Sequence, residues 1–210
     1  MSSVRPRKGA SAKAAASTNK NRRSFYLYGS LALVAIVIVV AISLASRPPA
    51  PPNVGEKAPE FAIATTAGLF DLAKNDGKPT LLEVFASWCP HCQRETKVLD
   101  ALYPLYKDKI NFVAVSGNAT GMDQQPESQA DVLAFATKFN VLYPIAFDPT
   151  LDVATKYAVQ GYPTFVLVGS DGTIDAKTSG EVPKADIVKT LNTIVASGKP
   201  DPAFGFSPPE

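Results

Sequence analysis

The chain has few of the residues from which metal sites are usually built. Its 210 residues include two cysteines and one histidine. A zinc site normally needs four protein ligands, or three plus water. A zinc site in this chain would therefore have to recruit carboxylates, and we expect no metal.

Acidic residues are missing from the first 53 positions. Residues 1–24 carry seven Lys or Arg, and Arg47 adds one more. From residue 54 onward there are 13 basic and 19 acidic residues, so this part carries a net charge of −6. A nucleic-acid-binding domain would show a basic face, and we expect no nucleic-acid partner.

Charge of either sign is missing from Phe25 to Ala45, a run of 21 residues. About 20 apolar residues span a bilayer core as a helix, and the positive-inside rule places the basic side in the cytoplasm. The sequence therefore predicts a single-pass protein of the cell membrane. It has a basic cytoplasmic tail (1–24), a transmembrane helix in the lipid bilayer (25–46) and an extracytoplasmic C-terminal domain. A cleaved signal peptide and an organelle transit peptide stay open as alternatives.

Proline-rich segments flank the remaining part of the chain. Residues 47–53, RPPAPPN, predict a semi-rigid extended linker, and residues 199–210 show no periodicity and predict a loose tail. Between them, in residues 54–198, apolar strands alternate with helices and are followed by a hairpin and a closing helix. This order predicts an α/β fold in which helices cover both faces of a mixed sheet.

Cys89 and Cys92 lie in FASWCPHCQRE, directly after an apolar strand. A structural disulfide across two intervening residues would restrain little chain entropy. Pro90 suits the first position of a helix, so Cys89 falls at a helix N-terminus, where backbone N–H groups stabilise a thiolate. Cys92 shares a helix face with Cys89. The pattern predicts a cycling dithiol with Cys89 as nucleophile and Cys92 as resolving thiol.

With these motifs the sequence resembles the thioredoxin superfamily, and within it the membrane-anchored TlpA/ResA-like thiol-disulfide oxidoreductases. The resemblance covers about residues 54–198 and rests on APEF, KPTLLEVFASWCPHCQRE and YPIAFDPTLDVATKYAVQGYPTFVLVGSDGTI, in that order. It implies a thioredoxin-like fold and an enzyme that exchanges disulfides with protein thiol or disulfide substrates. It also implies a membrane electron donor or acceptor, and no cofactor beyond a redox-active Cys89–Cys92 disulfide.

The resemblance assigns roles to four more residues. Tyr162 and Pro163 match the family's cis-proline site, which faces the disulfide and the bound substrate, and Trp88 matches a tryptophan that shapes the docking surface. Glu83 matches a buried acid beneath the second cysteine, where desolvation raises the pKa of a carboxyl and the group can exchange a proton with Cys92. Three plainer alternatives stay open: a turn proline, a packing tryptophan, and an acid that reaches solvent at a strand edge.

The dipeptide Pro90-His91 is expected to tune the redox poise. An exposed His91 would add a donor or positive charge that stabilises the Cys89 thiolate. The same dipeptide occurs in oxidising DsbA-type enzymes, with a potential near about −120 mV against roughly −270 mV for thioredoxin. TlpA/ResA-like enzymes usually act as reductants, for example in cytochrome c maturation. We expect a reductant, and a DsbA-like dithiol oxidase stays open.

Two other functions are compatible with the implied fold. A thiol peroxidase carries its cysteine in a Pro-x-x-x-Thr/Ser-x-x-Cys frame, and the residues before Cys89, EVFASW, contain no such proline. A non-catalytic adaptor would use the docking surface alone, and the intact Cys89, Cys92 and Pro163 argue against it. Turnover in a dithiol-dependent disulfide reduction assay would separate the enzyme from the adaptor.

Overall fold

The computed structural model describes residues 15–45, 52–121 and 125–198, with side chains from residue 26 to 43 in the first of these ranges. Most of the predicted linker and the whole of the predicted tail at 199–210 lie outside the described residues. The chain divides into two compact units, Met1–Pro49 and Ala50–Glu210.

The first unit contains one described helix, α1 (Ala15–Ala45). Its segment Tyr26–Ser43 is apolar and exposed along its length. The helix is therefore long and apolar enough to cross a membrane, which makes it a candidate transmembrane span. Its described part extends back to Ala15, inside the predicted tail, where residues such as Ala, Lys and Arg favour helix.

The second unit is built on a mixed sheet of seven strands among the described residues. Their order across the sheet is β2-β1-β5-β4-β3-β6-β7. β3, β4 and β5 run parallel to one another, and the other neighbouring pairs are antiparallel. In chain order the strands are β1 (Ala62–Thr65), β2 (Gly68–Asp71), β3 (Thr80–Phe85), β4 (Asn111–Ser116), β5 (Ile145–Phe147), β6 (Thr164–Val168) and β7 (Ile174–Ser179).

Helices lie on both faces of this sheet, as the alternation predicts. One apolar core contains residues of β3 together with residues of three helices, and the second core contains the opposite face of β3 and a short helix. The helices of the first core are α2 (Pro90–Tyr106), α3 (Gln129–Phe139) and α5 (Lys184–Ser197), and that of the second is α4 (Asp152–Lys156).

Strand pairing brings three separate segments to one end of the sheet. β3 ends just before the cysteine pair, and Val84 near its end pairs with Thr164 at the start of the antiparallel β6. The same Thr164 pairs with Ser179 at the end of β7. The same end of the sheet therefore carries three segments: residues 86–92, Pro163 and the segment after Ser179.

Candidate active site

Helix α2 begins at the cysteine pair. Cys89 is its N-cap residue and Pro90 its first helical residue, which confirms the predicted helix start. Both cysteines are free thiols. Cys89 keeps 6% of its surface exposed, whereas Cys92 is fully buried. Cys89 is thus the more exposed of the two cysteines, and Cys92 is fully enclosed.

Burial raises the pKa of Cys92 well above the ordinary thiol value, and the nearby Glu83 carboxylate raises it further. At neutral pH this sulfur therefore carries its proton. Since the thiolate is the attacking species, Cys92 needs a base that removes the proton before it can attack.

Glu83 lies beneath the pair in the middle of the sheet. Its strand β3 pairs with β4 on one side and β6 on the other, and the residue is 2% exposed. The alternative of an acid at a strand edge is therefore wrong. Side chains alternate along a strand, so Glu83 lies on the same face as Leu81 and Phe85, which belong to the core that contains Cys92.

The environment of Glu83 favours its protonated form. Oε2 accepts a hydrogen bond from the Tyr143 hydroxyl at 3.3 Å, and Oε1 has no hydrogen-bond partner among the described residues. Desolvation raises the pKa of Glu83 to about 8, the charge of Glu95 adds to this, and the Tyr143 hydrogen bond opposes it. A carboxyl that titrates near neutral pH can both accept and return a proton.

A second buried acid, Glu95, was missing from the sequence predictions. It lies one helical turn after Cys92 and is 3% exposed. Its Oε1 accepts from the Val182 N–H at 2.7 Å, and Oε2 has no partner among the described residues. Burial raises its pKa to about 7, against the effect of the Val182 hydrogen bond. The three-residue spacing from Cys92 is the signal that could have found it.

Tyr162 and Pro163 lie beside the nucleophile. Their peptide bond is cis, as the resemblance implies. The Cys89 thiol donates to the Tyr162 carbonyl, with 3.7 Å between sulfur and oxygen. The Tyr162 hydroxyl donates to the carbonyl of Gly117. This hydrogen bond links the cis-proline segment to the residue that follows β4.

The loop after β4 is attached to the residues that precede Cys89. The Trp88 indole packs on the core and donates through Nε1 to the Thr120 carbonyl at 2.9 Å. Glu127 is buried. It accepts from the Ser87 N–H at 3.0 Å and from the hydroxyls of Ser87 and Ser116. No local sequence signal points to Glu127, because its partners lie 11 and 40 residues before it in the chain.

His91 is exposed, as expected, and contacts charged groups. Its Nδ1 lies 2.8 Å from Nη2 of Arg94 and 3.4 Å from Oε1 of Glu181. The Arg94 Nε donates to the same Glu181 oxygen. Arg94 and, to a smaller extent, His91 hold the pKa of Glu181 below its usual value. The tuning role of the dipeptide stays a prediction.

The site thus contains one thiol near the surface at the start of a helix, one fully enclosed thiol and two buried carboxyls of raised pKa. Such a set can exchange a disulfide and hold the protons that this exchange releases. Within the described part of the chain, no group of three or more His, Cys, Asp or Glu residues is arranged to hold a metal ion.

Known proteins are similar to this chain in sequence. The Redoxin family matches residues 53–194. The thiol-disulfide oxidoreductase ResA of Geobacillus thermodenitrificans (strain NG80-2) is 30% identical over 143 residues, which cover 67% of this chain and 78% of the relative. The thioredoxin-like protein YneN of Bacillus subtilis (strain 168) is 31% identical over 139 residues, which cover 66% and 78%.

Solved structures share the fold. The thioredoxin domain of a thiol-disulfide oxidoreductase from Bacteroides vulgatus superposes with a TM-score of 0.57 at 22% identity, covering 68% of this chain and 98% of that one. This likeness confirms the thioredoxin-like fold, and the relatives confirm the resemblance to ResA-like proteins and the class of enzyme. The chain belongs to the Redoxin family within the thioredoxin superfamily, and it is a thiol-disulfide oxidoreductase of the ResA-like type.

Proposed function

We propose that the protein is a membrane-tethered, extracytoplasmic oxidoreductase that reduces disulfides of protein substrates through Cys89 and Cys92. The observation that carries the proposal is the placement of Cys89, the more exposed of the two cysteines, at the start of α2, with Cys92 and Glu83 enclosed beneath it. The apolar helix α1 supports the tether, and the basic residues before it support a cytoplasmic N-terminus. The redox group is the Cys89–Cys92 pair itself, with no added cofactor.

Reduction proceeds in two exchanges of sulfur. The Cys89 thiolate attacks a substrate disulfide; the substrate S–S bond breaks, a mixed disulfide forms, and the released substrate thiolate takes up a proton. Cys92 then loses its proton, attacks the Cys89 sulfur and releases the second substrate thiol. The substrate has gained two electrons and two protons, and Cys89 and Cys92 are joined.

The second exchange depends on a base beside Cys92. Glu83 contributes to the raised pKa of that thiol. With its own pKa raised to about 8, a minority of Glu83 is ionised at neutral pH, and this ionised form takes the proton. Glu95, one turn along the helix, is a second candidate because it is also buried with a raised pKa. We assign Glu83 the proton transfer and Glu95 a supporting electrostatic role.

Substrate docks across Trp88, Tyr162 and Pro163 in this proposal. The Tyr162 carbonyl already contacts the Cys89 sulfur, so the backbone of the cis-proline segment borders the point of attack. The half-buried Trp88 lies directly before the nucleophile in the chain. A substrate segment that lies against these residues presents its disulfide to Cys89.

We infer the direction of electron flow from the family resemblance of the whole domain. The resemblance to TlpA/ResA-like enzymes, which usually act as reductants, favours a reductant, for example in cytochrome c maturation, which a membrane electron donor would recharge. The dipeptide Pro90-His91 favours the second candidate, a DsbA-like oxidase. Equilibrating the full chain with glutathione in detergent micelles decides between them. A potential near the −270 mV of thioredoxin supports the reductant, and one near the −120 mV of DsbA supports the oxidase, both being approximate references.

The tether and its topology need a separate test. Protease added to intact spheroplasts should digest the catalytic domain and spare the basic N-terminal tail. Protection of the domain would contradict the extracytoplasmic location. Release of the domain into the medium without detergent would show that the N-terminal segment is cleaved.

A further inference from the structure

Tyr143 is a buried tyrosine whose backbone is held on both sides. Its side chain is 2% exposed and belongs to the same apolar core as α2. The N–H of the residue before it, Leu142, donates to Asp100 Oδ1 at 2.8 Å. The carbonyl of the residue after it, Pro144, accepts from the Ala114 N–H at 2.9 Å. The ring of Tyr143 therefore packs in this core from a fixed backbone.

The hydroxyl of Tyr143 contacts the buried acid of the active site. It donates to Glu83 Oε2, with 3.3 Å between the two oxygens. The ring packs near Tyr103 of α2, with 6.3 Å between the ring centroids, and a phenylalanine could pack in the same way. Because a hydroxyl buried without a hydrogen bond costs free energy, packing alone does not account for a tyrosine here, and the contact with Glu83 does.

Tyr143 also favours the form of Glu83 that acts as a base. Desolvation and the charges of Glu95 and Asp100 raise the pKa of Glu83, whereas the hydrogen bond from Tyr143 lowers it. The base that removes a proton from Cys92 is the ionised carboxyl. The Tyr143 hydroxyl therefore increases the fraction of Glu83 that can take this proton.

The same hydrogen bond leaves the other oxygen of Glu83 available. Oε1 is buried and has no hydrogen-bond partner among the described residues. Cys92 is fully buried, and it lies close enough for the charge of Glu83 to raise the pKa of its thiol. One carboxyl oxygen is thus held by a fixed donor, and the other is free to accept a proton from the thiol.

We propose that Tyr143 is a positioning residue, which holds Glu83 by Oε2 so that Oε1 takes the proton of Cys92 in the second exchange. The proposal rests on the proposed function, since it concerns the same proton transfer. As the proton moves to Oε1, the Cys92 thiolate attacks the Cys89 sulfur and the mixed disulfide breaks. The leaving substrate thiolate takes up a proton as Glu83 releases one, and the Tyr143 hydroxyl keeps its own proton throughout.

The test is Tyr143→Phe in the reduced full chain in detergent micelles, with an excess of oxidised glutathione as the disulfide. Cys89 bonds to one glutathione and releases the other, and Cys92 then displaces the bound one. Acid quenching and the intact mass of the protein follow this adduct with time. At pH 7 the first-order loss of the adduct should be about fivefold slower than in the wild type, as expected for one lost hydrogen bond. Formation of the adduct should be unchanged.

Tyr157→Phe is the matched control. Tyr157 is also fully buried, and its hydroxyl donates to the Pro59 carbonyl at 2.9 Å. It belongs to the second core, which does not contain the cysteines. The control therefore removes a buried hydroxyl and its hydrogen bond away from the site, and its adduct should be lost at the wild-type rate.

Two further readouts separate an action through Glu83 from a general effect on the fold. Loss of the hydrogen bond raises the pKa of Glu83, so the rate of adduct loss should rise at higher pH in Tyr143→Phe, and the difference from the wild type should narrow between pH 7 and 9. In a Glu83→Gln background the base is absent. Tyr143→Phe should there change the rate by less than about twofold.

Three results would overturn the inference. These are a rate in Tyr143→Phe equal to that of the control, an equally slow rate in Tyr157→Phe, or a slowing that persists in the Glu83→Gln background. A wild type that forms and resolves the adduct while Tyr143→Phe matches the control defeats this inference alone. A wild type that forms no adduct with oxidised glutathione defeats the proposed function as well.

Discussion

Replacing Glu83 by glutamine should flatten the dependence of the protein's stability on pH. The folded state raises the pKa of this carboxyl from 4.5 to about 8, first through desolvation and then through the charge of Glu95. Between those pH values the folded state keeps a proton that the unfolded chain has lost. The unfolded state then binds fewer protons, so the free energy of unfolding falls as pH rises.

The size of the effect follows from the shift. One pKa unit corresponds to about 1.4 kcal/mol, so the ionisable Glu83 lowers stability at pH 8 by about 4 kcal/mol relative to acidic pH. The pKa of Glu95 also rises, from 4.5 to about 7. Its ionisation therefore lowers the free energy of unfolding by a similar amount between those two pH values. Glu83→Gln should therefore reduce the slope of stability against pH by about 1 kcal/mol per unit between pH 6 and 8.

Urea unfolding under reducing conditions, at each pH unit from 5 to 8, measures this slope. The chain has one tryptophan, Trp88, and it packs on the core of the domain, so its fluorescence follows the unfolding of this unit in the full chain. Glu60→Gln removes an exposed carboxyl and should leave the slope unaltered. Parallel profiles for wild type and Glu83→Gln would refute the argument that Glu83 is protonated in the folded state at neutral pH.

Two further substitutions test the packing and the hydrogen bond around the site. Gly117→Ala should lower the free energy of unfolding by about 1–3 kcal/mol, because a Cβ there would clash with Val84. Gly161→Ala is the control, since a Cβ at that position meets nothing within 4 Å. Equal urea midpoints for the two variants would contradict the clash. The Tyr143 hydroxyl donates to Glu83, and this hydrogen bond lowers the pKa of the carboxyl. Tyr143→Phe should therefore raise that pKa, so the fall of stability with pH should begin at the same pH and extend to a higher one. An unchanged profile would show that the hydrogen bond does not affect the pKa of Glu83.

The order and type of the elements could be predicted because they depend on local patterns. Pro90 specifies the start of α2 at the predicted residue, and the apolar run before the cysteines forms β3. The same patterns do not predict the exposure of Leu105. It lies three residues after the buried Leu102, at helical spacing, yet it is largely exposed, so spacing alone does not show which apolar residues of the helix are covered.

The site could be predicted in part. The cysteine pair, the cis proline and the buried Glu83 follow from motifs within the chain and from the resemblance. Glu95 could have been found from its position on the same helix face as Cys92. Glu127 and Glu181 could not, because Ser87 lies 40 residues from Glu127 and Arg94 lies 87 residues from Glu181, and these pairs meet only when the sheet is assembled.

The most direct test of the central claim is to trap the first exchange. Cys92→Ser removes the resolving thiol, so incubation with a disulfide-bonded protein such as insulin should accumulate a mixed disulfide on Cys89, visible on a non-reducing gel and lost on reduction. Cys89→Ser should accumulate none and should have no reductase activity. An adduct that forms in Cys89→Ser and is absent from Cys92→Ser would contradict the account, because Cys92 would then be the attacking sulfur.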